Sequence, residues 1–425
     1  MNSVHFTTFA PLMKPFDLII VGAGAAGVVA AGRAASLGAE VLLLEKMEKP
    51  LRKLRISGKG RGNITNTKPL EEFLQKVYPK ADFLRPAFAQ LFNKELIALV
   101  NKAGVPTTVE RGERVFPTSQ KAWDVAEGLQ KWARKNDAET LCSAKVTAVN
   151  RTEDRLFEVE FEHNGSEYAE KSRAVLIATG GASYPATGST GDGYALAKKL
   201  GHTIVPIRPS LVPIEVEGFD RYRFSDLTMR NVRLSVHANG EKIDEEFGEL
   251  MLTDFGVSGA ITLRMSRNIV DALREKKKVE LLLDWKPALS EIQLRNRLER
   301  ELQNTEVQTA GELLRKLMPS PLISFFAEKA GVQVRAKVAE SDKEKIVKTL
   351  KCCRLVACGY RPFTEAIVTA GGVSLSEVDE NTLQSKLVPN LYFAGELLDL
   401  DADTGGYNLQ IAFSTGWLAG GQVAR

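Results

Sequence analysis

Asp17-Leu-Ile-Ile-Val-Gly22-Ala-Gly24-Ala-Ala-Gly27 opens the stretch that decides the fold, and Leu42-Leu-Leu-Glu45 closes it. The apolar run at 17–21 reads as a fully buried strand. Residues 28–36, rich in alanine, read as a helix that Gly38 stops, and residues 41–44 as a second apolar strand ending in an acid. The intervening GAGAAG fits the G-x-G-x-x-G turn. Gly22 allows the tight turn, Gly24 lets the backbone approach a pyrophosphate, and Gly27 lets helix and strand pack closely. The helix N-terminus presents unpaired N–H groups and a positive dipole end to phosphates. Glu45, about twenty residues past the glycines, is placed to accept from a ribose hydroxyl. Glycines alone would be a weak signal; strand, turn, helix, strand and acid in register predict a dinucleotide site.

The rest of the chain sets the bounds. A length of 425 residues suggests two or three domains. Apolar residues at 44% and charged residues at 26% are ordinary for a soluble globular protein. A net charge of +4 from 57 basic and 53 acidic residues is too balanced to demand a nucleic-acid partner. Cys142, Cys352, Cys353 and Cys358 form no CxxC and no metal-like spacing, which suits a reduced, cytoplasmic setting. No apolar run approaches the roughly 18 residues of a spanning helix, so no membrane partner is expected. The opening MNSVHFTTFAPLMKPF lacks the pattern of a signal peptide, and residues 1–14 are expected to be a disordered lead-in.

After Glu45 comes the basic, glycine-rich stretch from Lys46 through Lys53, Ser57, Gly58, Gly60, Arg61 and Asn63 to Asn66. Its Gly, Ser and Asn content predicts a loop laying backbone donors along something anionic. A solvated basic loop and a nucleic-acid patch are the other readings. Cofactor contact is preferred because the loop leaves from the strand end where the ribose lies and has no aromatic residue to stack bases. Residues 70–102 read as helical, with Phe73, Val77, Phe88, Leu91, Phe92 and Leu96 as the buried face. VERGERVFP (109–117) reads as a hairpin and 119–136 as a helix; 145–150, 156–162 and 168–171 read as strands. Next comes a buried strand ending in Thr179-Gly180-Gly181, then a helix over 194–200, which Asp192 either caps or leaves for the cofactor. From about His202 the runs 203–207, 212–216, 232–238 and 248–253 suggest an antiparallel barrel or sandwich, followed by helices at 289–302, 310–317 and 322–329. Two more buried strands (366–373 and 391–395) and a final helix, opened by Gly405-Gly406, complete the chain.

Four distant segments thus share one design, a buried strand ending in Gly and directed at a helix start or loop. Together they resemble two-domain FAD flavoproteins and, more closely, the bacterial HI0933-like flavoprotein family, which includes members described as aminoacetone oxidases and bile-acid intermediate reductases. The resemblance is carried by GAGAAG at 22–27 with Glu45, SGKGRGNITN at 57–66, ATGGASYPATGSTGDGY at 178–194, TDFGVSG at 253–259, TAGGVSLSEVD at 369–379 and LYFAGELLDLDADTGGYNLQIAFSTGWLAG at 391–420. It implies an α/β fold: a Rossmann-like FAD-binding domain (15–200 and 345–425) split by an inserted β-barrel (201–285) and a small helical domain (286–344).

The resemblance also implies a set of contacts with non-covalent FAD. Gly22, Gly24, Ala25, Ala26 and Gly27 would lie on the pyrophosphate. Glu45, Lys46, Val146, Thr179, Gly180 and Gly181 would serve the adenosine half, and Lys53, Ser57, Gly58, Gly60 and Asn63 would approach the flavin side. Gly395, Glu396, Asp399 and the Gly405-Gly406-Tyr407-Asn408-Leu409 turn would hold the ribityl chain and ring, where a helix N-terminus stabilises negative charge by on the order of 1 kcal/mol. The chain departs from the family pattern at Lys59 and Gly62, where GGGRCN is expected, so thiol chemistry is lost there. Asp254 stands where His often precedes Phe-Gly, and a His general acid is lost with it. None of His5, His163, His202 and His237 lies in a motif, so no metal is expected. Asp399, Asp401 and Asp403 lack the frame of a Ca²⁺ loop and read as ribityl contact plus solvated loop. Tyr184, Tyr407 and Arg61 are candidates to face the ring; no catalytic residue is assigned.

The function expected is an FAD-dependent oxidoreductase passing a hydride from NAD(P)H to a small unsaturated or carbonyl compound, under a roof formed by the insertion. No second G-x-G-x-x-G exists, so NAD(P)H would be a transient visitor. An oxygen-using amine or ketone oxidase is the alternative. A flavin-bound protein associated with tRNA is the reading from another class, and a non-catalytic flavin scaffold a third. A monomer or homodimer is expected.

Overall fold

The structure, a computed structural model, describes residues 14–224, 226–304 and 307–423. The lead-in expected at 1–14 lies outside them, Lys14 apart. Strand β1 (Phe16–Val21) runs parallel to β2 (Val41–Leu44) on one side and to the strand Ser166–Ile177 on the other, with Ile19 opposite Leu42 and Val175. Glu139–Leu141 adds to the outer edge of β2, and Leu391–Phe393 pairs with the end of Ser166–Ile177. These strands read as unbroken apolar runs because a parallel sheet is covered on both faces. The first half of Ser166–Ile177 instead pairs antiparallel with Phe157–His163, which pairs with Ala144–Arg151. The runs at 168–171 and from 174 are therefore one strand. Its pattern changes from alternating to continuous where it passes from a half-exposed meander into the buried sheet.

The helix α1 (Ala25–Ser36) packs on the C-terminal helix Tyr407–Gln422 at backbone distance. A Cβ on Gly416 would lie 2.2 Å from Ala26 O, and one on Gly420 would lie 2.4 Å from Ala30 O. On its other flank, a Cβ on Gly32 would meet the Trp132 ring at 2.2 Å. Elsewhere in this part of the chain the elements differ from expectation in two places. A short helix, Arg52–Ile56, occupies part of the stretch read as loop; its residues precede the glycines that exclude helix. The helical run at 70–102 is broken into Leu70–Leu74, Arg85–Gln90 and Asn93–Lys102, with Val77–Tyr78 forming a two-residue strand, although Phe73, Val77, Phe88, Leu91 and Leu96 are buried as expected. The hairpin at 109–117 is present, Glu110 facing Arg114.

The chain forms two compact units. The first runs to Arg208 and resumes at Ile367; the second is Pro209–Ala366. In the second, six antiparallel strands close a barrel in the order Ile214–Val216, Gly256–Ser258, Glu241–Leu252, Leu227–Ala238, Val279–Asp284 and Cys353–Tyr360, which returns to the first. Val232, Leu234, Leu250, Leu281 and Leu355 fill its core. The helix Ala260–Arg274, unassigned in the sequence reading, packs on Glu241–Leu252. Helices Glu291–Leu302, Ala310–Arg315, Ile323–Ala330 and Glu340–Lys351 precede the last barrel strand. Residues 345–366, expected with the Rossmann-like domain, belong to the second unit because Cys353–Tyr360 closes the barrel. The run at 203–207 is not a barrel strand either: Ile204–Ser210 pairs with Val368–Val373.

His202 pins this part of the first unit. Its buried Nε2 lies 2.9 Å from Ser385 Oγ, which accepts from Val388 N (2.8 Å) and Leu387 N (3.0 Å). The hydroxyl proton is thereby directed to Nε2, leaving the ring proton on Nδ1 facing Glu377 at 3.2 Å. Burial holds the His202 pKa below its ordinary value, against the opposing pull of Glu377. A depressed histidine contributes stability that is present above the unfolded pKa, about 6.5, and lost as pH falls through it. Wild type should therefore lose melting temperature between about pH 7.5 and 5.5 more steeply than His202→Gln; parallel curves in a pH series of thermal melts would remove this role. At the helix crossing, Gly416→Ala should cost about 1–3 kcal/mol in urea unfolding, since the backbone facing it cannot retreat as a side chain would.

Candidate functional site

A cleft opens in the first unit over the end of β1 and β2. Gly22, at φ +100°, leaves no room for a side chain: a Cβ would sit 2.8 Å from Ala178 O. A Cβ on Gly27 would lie 1.9 Å from Gly22 O, so the first turn of α1 rests directly on the turn that precedes it. Gly24 differs, its nearest neighbour being 3.9 Å away, so the space beside it is open to a ligand. The first intrahelical bond is Val28 N to Gly24 O at 3.0 Å, and the N–H groups of Ala25, Ala26 and Gly27 precede it.

Glu45 lines the cleft and braces it. Oε2 accepts from Ala23 N (2.8 Å) and Oε1 from Met47 N (2.9 Å). Burial pushes its pKa up, and these two bonds only partly oppose that. Lys46 Nζ reaches Asp192 Oδ2 at 2.6 Å and also donates to Thr190. Asp192 thus makes an ion pair across the cleft and caps nothing: the N-cap is Gly191, without a side-chain bond. Burial raises the Asp192 pKa, but the bonds from Lys46 and Thr190 outweigh it and the net shift is downward. Val146 and Thr179 also line the cleft. Gly180 and Gly181 do not. Gly181 makes room for Thr369 instead, whose Oγ1 accepts from Ala182 N (2.8 Å) and would meet a Cβ at 2.4 Å.

Lys53 and Glu396 form one group. Lys53 Nζ donates to Glu396 Oε2 (2.7 Å) and Ser183 Oγ (2.6 Å). Glu396 Oε1 accepts from Thr369 N (2.8 Å) and Ser183 Oγ (2.9 Å). With its acceptor positions taken up in this way, the carboxylate fixes the ammonium, and Lys53 is the member that lines the cleft. Ser183 and Thr369 were missed in the sequence reading. Each stands in a glycine-containing segment, but nothing in their order shows that they meet across 186 residues.

The glycine-rich loop follows. Gly58, Lys59, Gly60 and Gly62 all have positive φ, and Gly60 O accepts from Ala122 N at 2.8 Å. On this loop, Ser57 Oγ and Asn63 Oδ1 are buried with no hydrogen-bond partner. Neither residue lines the cleft, and an unsatisfied buried polar group costs about 1–3 kcal/mol.

The remaining predicted residues divide. Gly395 (φ +76°) lies against α1, where a Cβ would be 3.0 Å from Ala26 Cβ. Gly406 (φ +98°) packs on Thr65, where a Cβ would be 2.4 Å from Thr65 O. The Tyr407 ring is buried against Phe73 (centroids 4.6 Å apart). Asn408 donates to Ala402 O (2.7 Å) and accepts from Ala402 N (2.9 Å), closing the preceding turn on itself. What this turn offers is the backbone N–H groups of Tyr407, Asn408 and Leu409 at the helix start, ahead of Gln410 N, which donates to Gly406 O. Asp399 N donates to Val373 O at 3.1 Å. Asp401 and Asp403 are buried, not solvated, and Asp403 pairs with Lys76 at 3.2 Å. Arg61 is held by Glu110 and Gln120 over the Phe116 ring. Asp254, at the position where His is often found, accepts from Phe224 N at 2.9 Å. No helix among the described residues is long and apolar enough to cross a membrane.

Known proteins agree with this architecture. The family model described as HI0933-like protein Rossmann domain matches residues 16–422. The chain is 30% identical over 412 residues to the 3-dehydro-bile acid delta(4,6)-reductase of Clostridium scindens, covering 95% of this chain and 98% of the other. It is 28% identical over 417 residues to the ribosomal RNA dihydrouridine synthase of Haemophilus influenzae, covering 96% and 98%. Among solved structures, the 3-ketosteroid-delta4-(5alpha)-dehydrogenase of Rhodococcus jostii RHA1 shares the fold with a TM-score of 0.52 at 15% identity, over 99% of this chain and 100% of that one. The chain belongs to the HI0933-like family of flavoprotein oxidoreductases, built on a Rossmann-like FAD-binding fold split by an inserted barrel.

Proposed function

We propose that this chain holds FAD without a covalent link and passes a hydride from NAD(P)H to a carbon–carbon double bond conjugated with a carbonyl. The observation that carries the cofactor assignment is the open space beside Gly24 at the mouth of α1, where the N–H groups of Ala25, Ala26 and Gly27 precede the first intrahelical bond. In this reading the N–H groups of Ala25 to Gly27 meet the diphosphate, beside the open space at Gly24. Glu45 accepts from the adenosine ribose, with Lys46, Val146 and Thr179 around it. Lys53, held by Glu396 and Ser183, places one cation at the cleft. Ser57 and Asn63 bond the flavin side. The helix start at Tyr407–Leu409 favours negative charge at the ring's pyrimidine edge. When bound, FAD supplies reversible hydride acceptance and donation, which none of these side chains can.

The bond class comes from the chemistry shared by the two relatives' names. Delta-4,6 double bonds next to a 3-oxo group, and the double bond lost when dihydrouridine forms, are both conjugated to a carbonyl. Hydride therefore adds at the β-carbon and a proton at the α-carbon. A transient NAD(P)H fits a chain with one G-x-G-x-x-G.

Purified protein should be yellow, release its FAD on acid precipitation, and bleach anaerobically with NADH or NADPH. A protein colourless after added FAD sinks the reading; a yellow one that neither donor bleaches sinks the reductase assignment. Ser57→Ala with Asn63→Leu should weaken FAD binding about 10-fold or more in fluorescence titration, with the apoprotein's melting temperature unchanged or raised, because two unsatisfied groups are removed. Glu45→Gln should bind FAD more weakly, and its amide nitrogen cannot accept, so one of the Ala23 and Met47 N–H groups loses its acceptor. A carboxyl with a raised pKa contributes stability below the unfolded pKa that is lost as pH rises through the folded one. The melting temperature of the variant relative to wild type should therefore rise as pH increases from about 4.3, and a flat difference would contradict it.

A further inference from the structure

Two segments that border the cleft are fastened to each other in reverse order along the chain. Lys46 Nζ donates to Thr190 and, at 2.6 Å, to Asp192 Oδ2. Met47 lies against Gly188, where a Cβ would meet its Cγ at 2.8 Å. Arg52 Nη2 donates to Ala186 O at 3.1 Å, and Glu48 holds the same guanidinium. Lys53 Nζ donates to Ser183 Oγ at 2.6 Å. Lys46, Arg52 and Lys53 line the cleft on one side and Gly188, Ser189 and Asp192 on the other, so these contacts bridge it.

The second of these segments is bonded mainly to itself. Gly191 N donates to Gly181 O at 3.1 Å and closes the neck of a loop. Thr369 Oγ1 fixes that neck by accepting from Ala182 N (2.8 Å) and Ser183 N (3.1 Å). Beyond the neck, the described backbone bonds stay inside the loop. Thr187 N donates to Tyr184 O (2.8 Å), Gly188 N to Pro185 O (3.0 Å) and Thr190 N to Gly188 O (3.1 Å). Ser189 turns inward and is 7% exposed, whereas Ala186 and Thr190 on either side of it are exposed. A short neck, an internally bonded body and an inward side chain make this an Ω-loop. The polar bonds from outside that reach its body come from Lys46 and Arg52, with Met47 packed between them.

We propose that residues 182–191 are a flap over the cleft, and that Lys46, Met47 and Arg52 latch it and so set how fast the dinucleotide exchanges. This rests on reading the cleft as the FAD site, and adds to that reading a control over loading and release. The latch bonds join the protein to itself, so closing the flap makes them with or without the ligand. A contact equally strong in both states leaves affinity alone; it lowers the fraction of open molecules, and both rates fall with it. The side chains of Lys46, Asp192 and Arg52 are 21%, 39% and 31% exposed. Bonds so open to water break at modest cost, which suits a part that must move. The inner end is different: Ser183 is fully buried and also bonded to Glu396, so it is the fixed end about which the flap turns.

The test removes two latch bonds at the surface, with Arg52→Met and Thr190→Val in one variant, and leaves Lys46, Lys53 and Asp192 in place. Association is read from the quenching of FAD fluorescence on mixing with apoprotein, and dissociation from radiolabelled FAD chased with unlabelled FAD. Both rates should rise about 10-fold, with Kd held within about 3-fold. A second readout needs no cofactor. Ser189→Cys puts a thiol beneath the flap, and its alkylation by N-ethylmaleimide in the apoprotein is followed by peptide mass spectrometry. The latch variant should quicken that alkylation about 10-fold. Thermal melts report that each variant folds. A rise in dissociation alone would make Arg52 and Thr190 ordinary cofactor contacts and overturn the proposal. Unchanged rates, or a thiol alkylated equally fast with and without the latch, would overturn it too. A protein that takes up no FAD, yet whose thiol the latch variant exposes, sinks the flavin reading while the flap stands.

Discussion

The first unit depends on how little room surrounds the first turn of α1. Three parts of the chain press on it where a methyl group would collide: Gly22 O below Gly27, the C-terminal helix at Gly416, and Gly395 at the end of the last sheet strand. Each contact is backbone against backbone or against Ala26, so none can relax by turning a side chain. The result is a helix start whose direction is set by the sheet, the fingerprint turn and the C-terminal helix together. The three N–H groups at its mouth are aimed before any ligand arrives, and pre-aimed donors cost no reorganisation when an anion binds. Gly24, with open space beside it, is the exception that leaves the ligand's path clear.

That constraint was legible in the sequence where it was local. Gly22, Gly27 and Glu45 lie within one βαβ unit, and their spacing is itself the geometric statement. The barrel was visible as alternation at 232–238 and 248–253, but its last strand was not. Cys353–Tyr360 follows four helices and precedes another glycine-ended strand, so position along the chain pointed to the wrong unit. Tyr407 and Asn408 mark a second kind of gap. A Gly-Gly helix start is readable, but whether the side chains after it face a ligand depends on Phe73 and Ala402, which supply the competing partners.

Glu396 illustrates the same competition in polar groups. A carboxylate just after a glycine-ended strand suggests direct contact with a cofactor hydroxyl. Here it accepts from Lys53, Ser183 and Thr369, partners drawn from three other segments. Its effect on a ligand is carried through the lysine it holds. A partly buried carboxylate bonded in this way is strongly oriented, and the orientation passes to the ammonium. Burying the pair is tolerable because both charges are hydrogen-bonded. Pairing of this kind is invisible in a single sequence, where Lys53 is one cation among seven.

Residues 46–61 carry seven cations, Lys46, Lys49, Arg52, Lys53, Arg55, Lys59 and Arg61, and the fold sends them to different partners. A loop interrupted by a single helical turn sends successive side chains to opposite sides. Lys46 and Lys53 turn inward and meet Asp192 and Glu396, whereas Arg55 turns outward and lies beneath Trp123. The loop has no aromatic residue of its own. The ring that covers Arg55 is Trp123, from the helix Ala122–Lys135, whose first residue, Ala122, is bonded to Gly60. The contacts that hold the glycine-rich loop beside the cleft also fix the aromatic platform on its outer side. A change at Gly60 or Gly62 would therefore disturb both sides at once, which ties the geometry of the outer face to that of the glycine-rich loop.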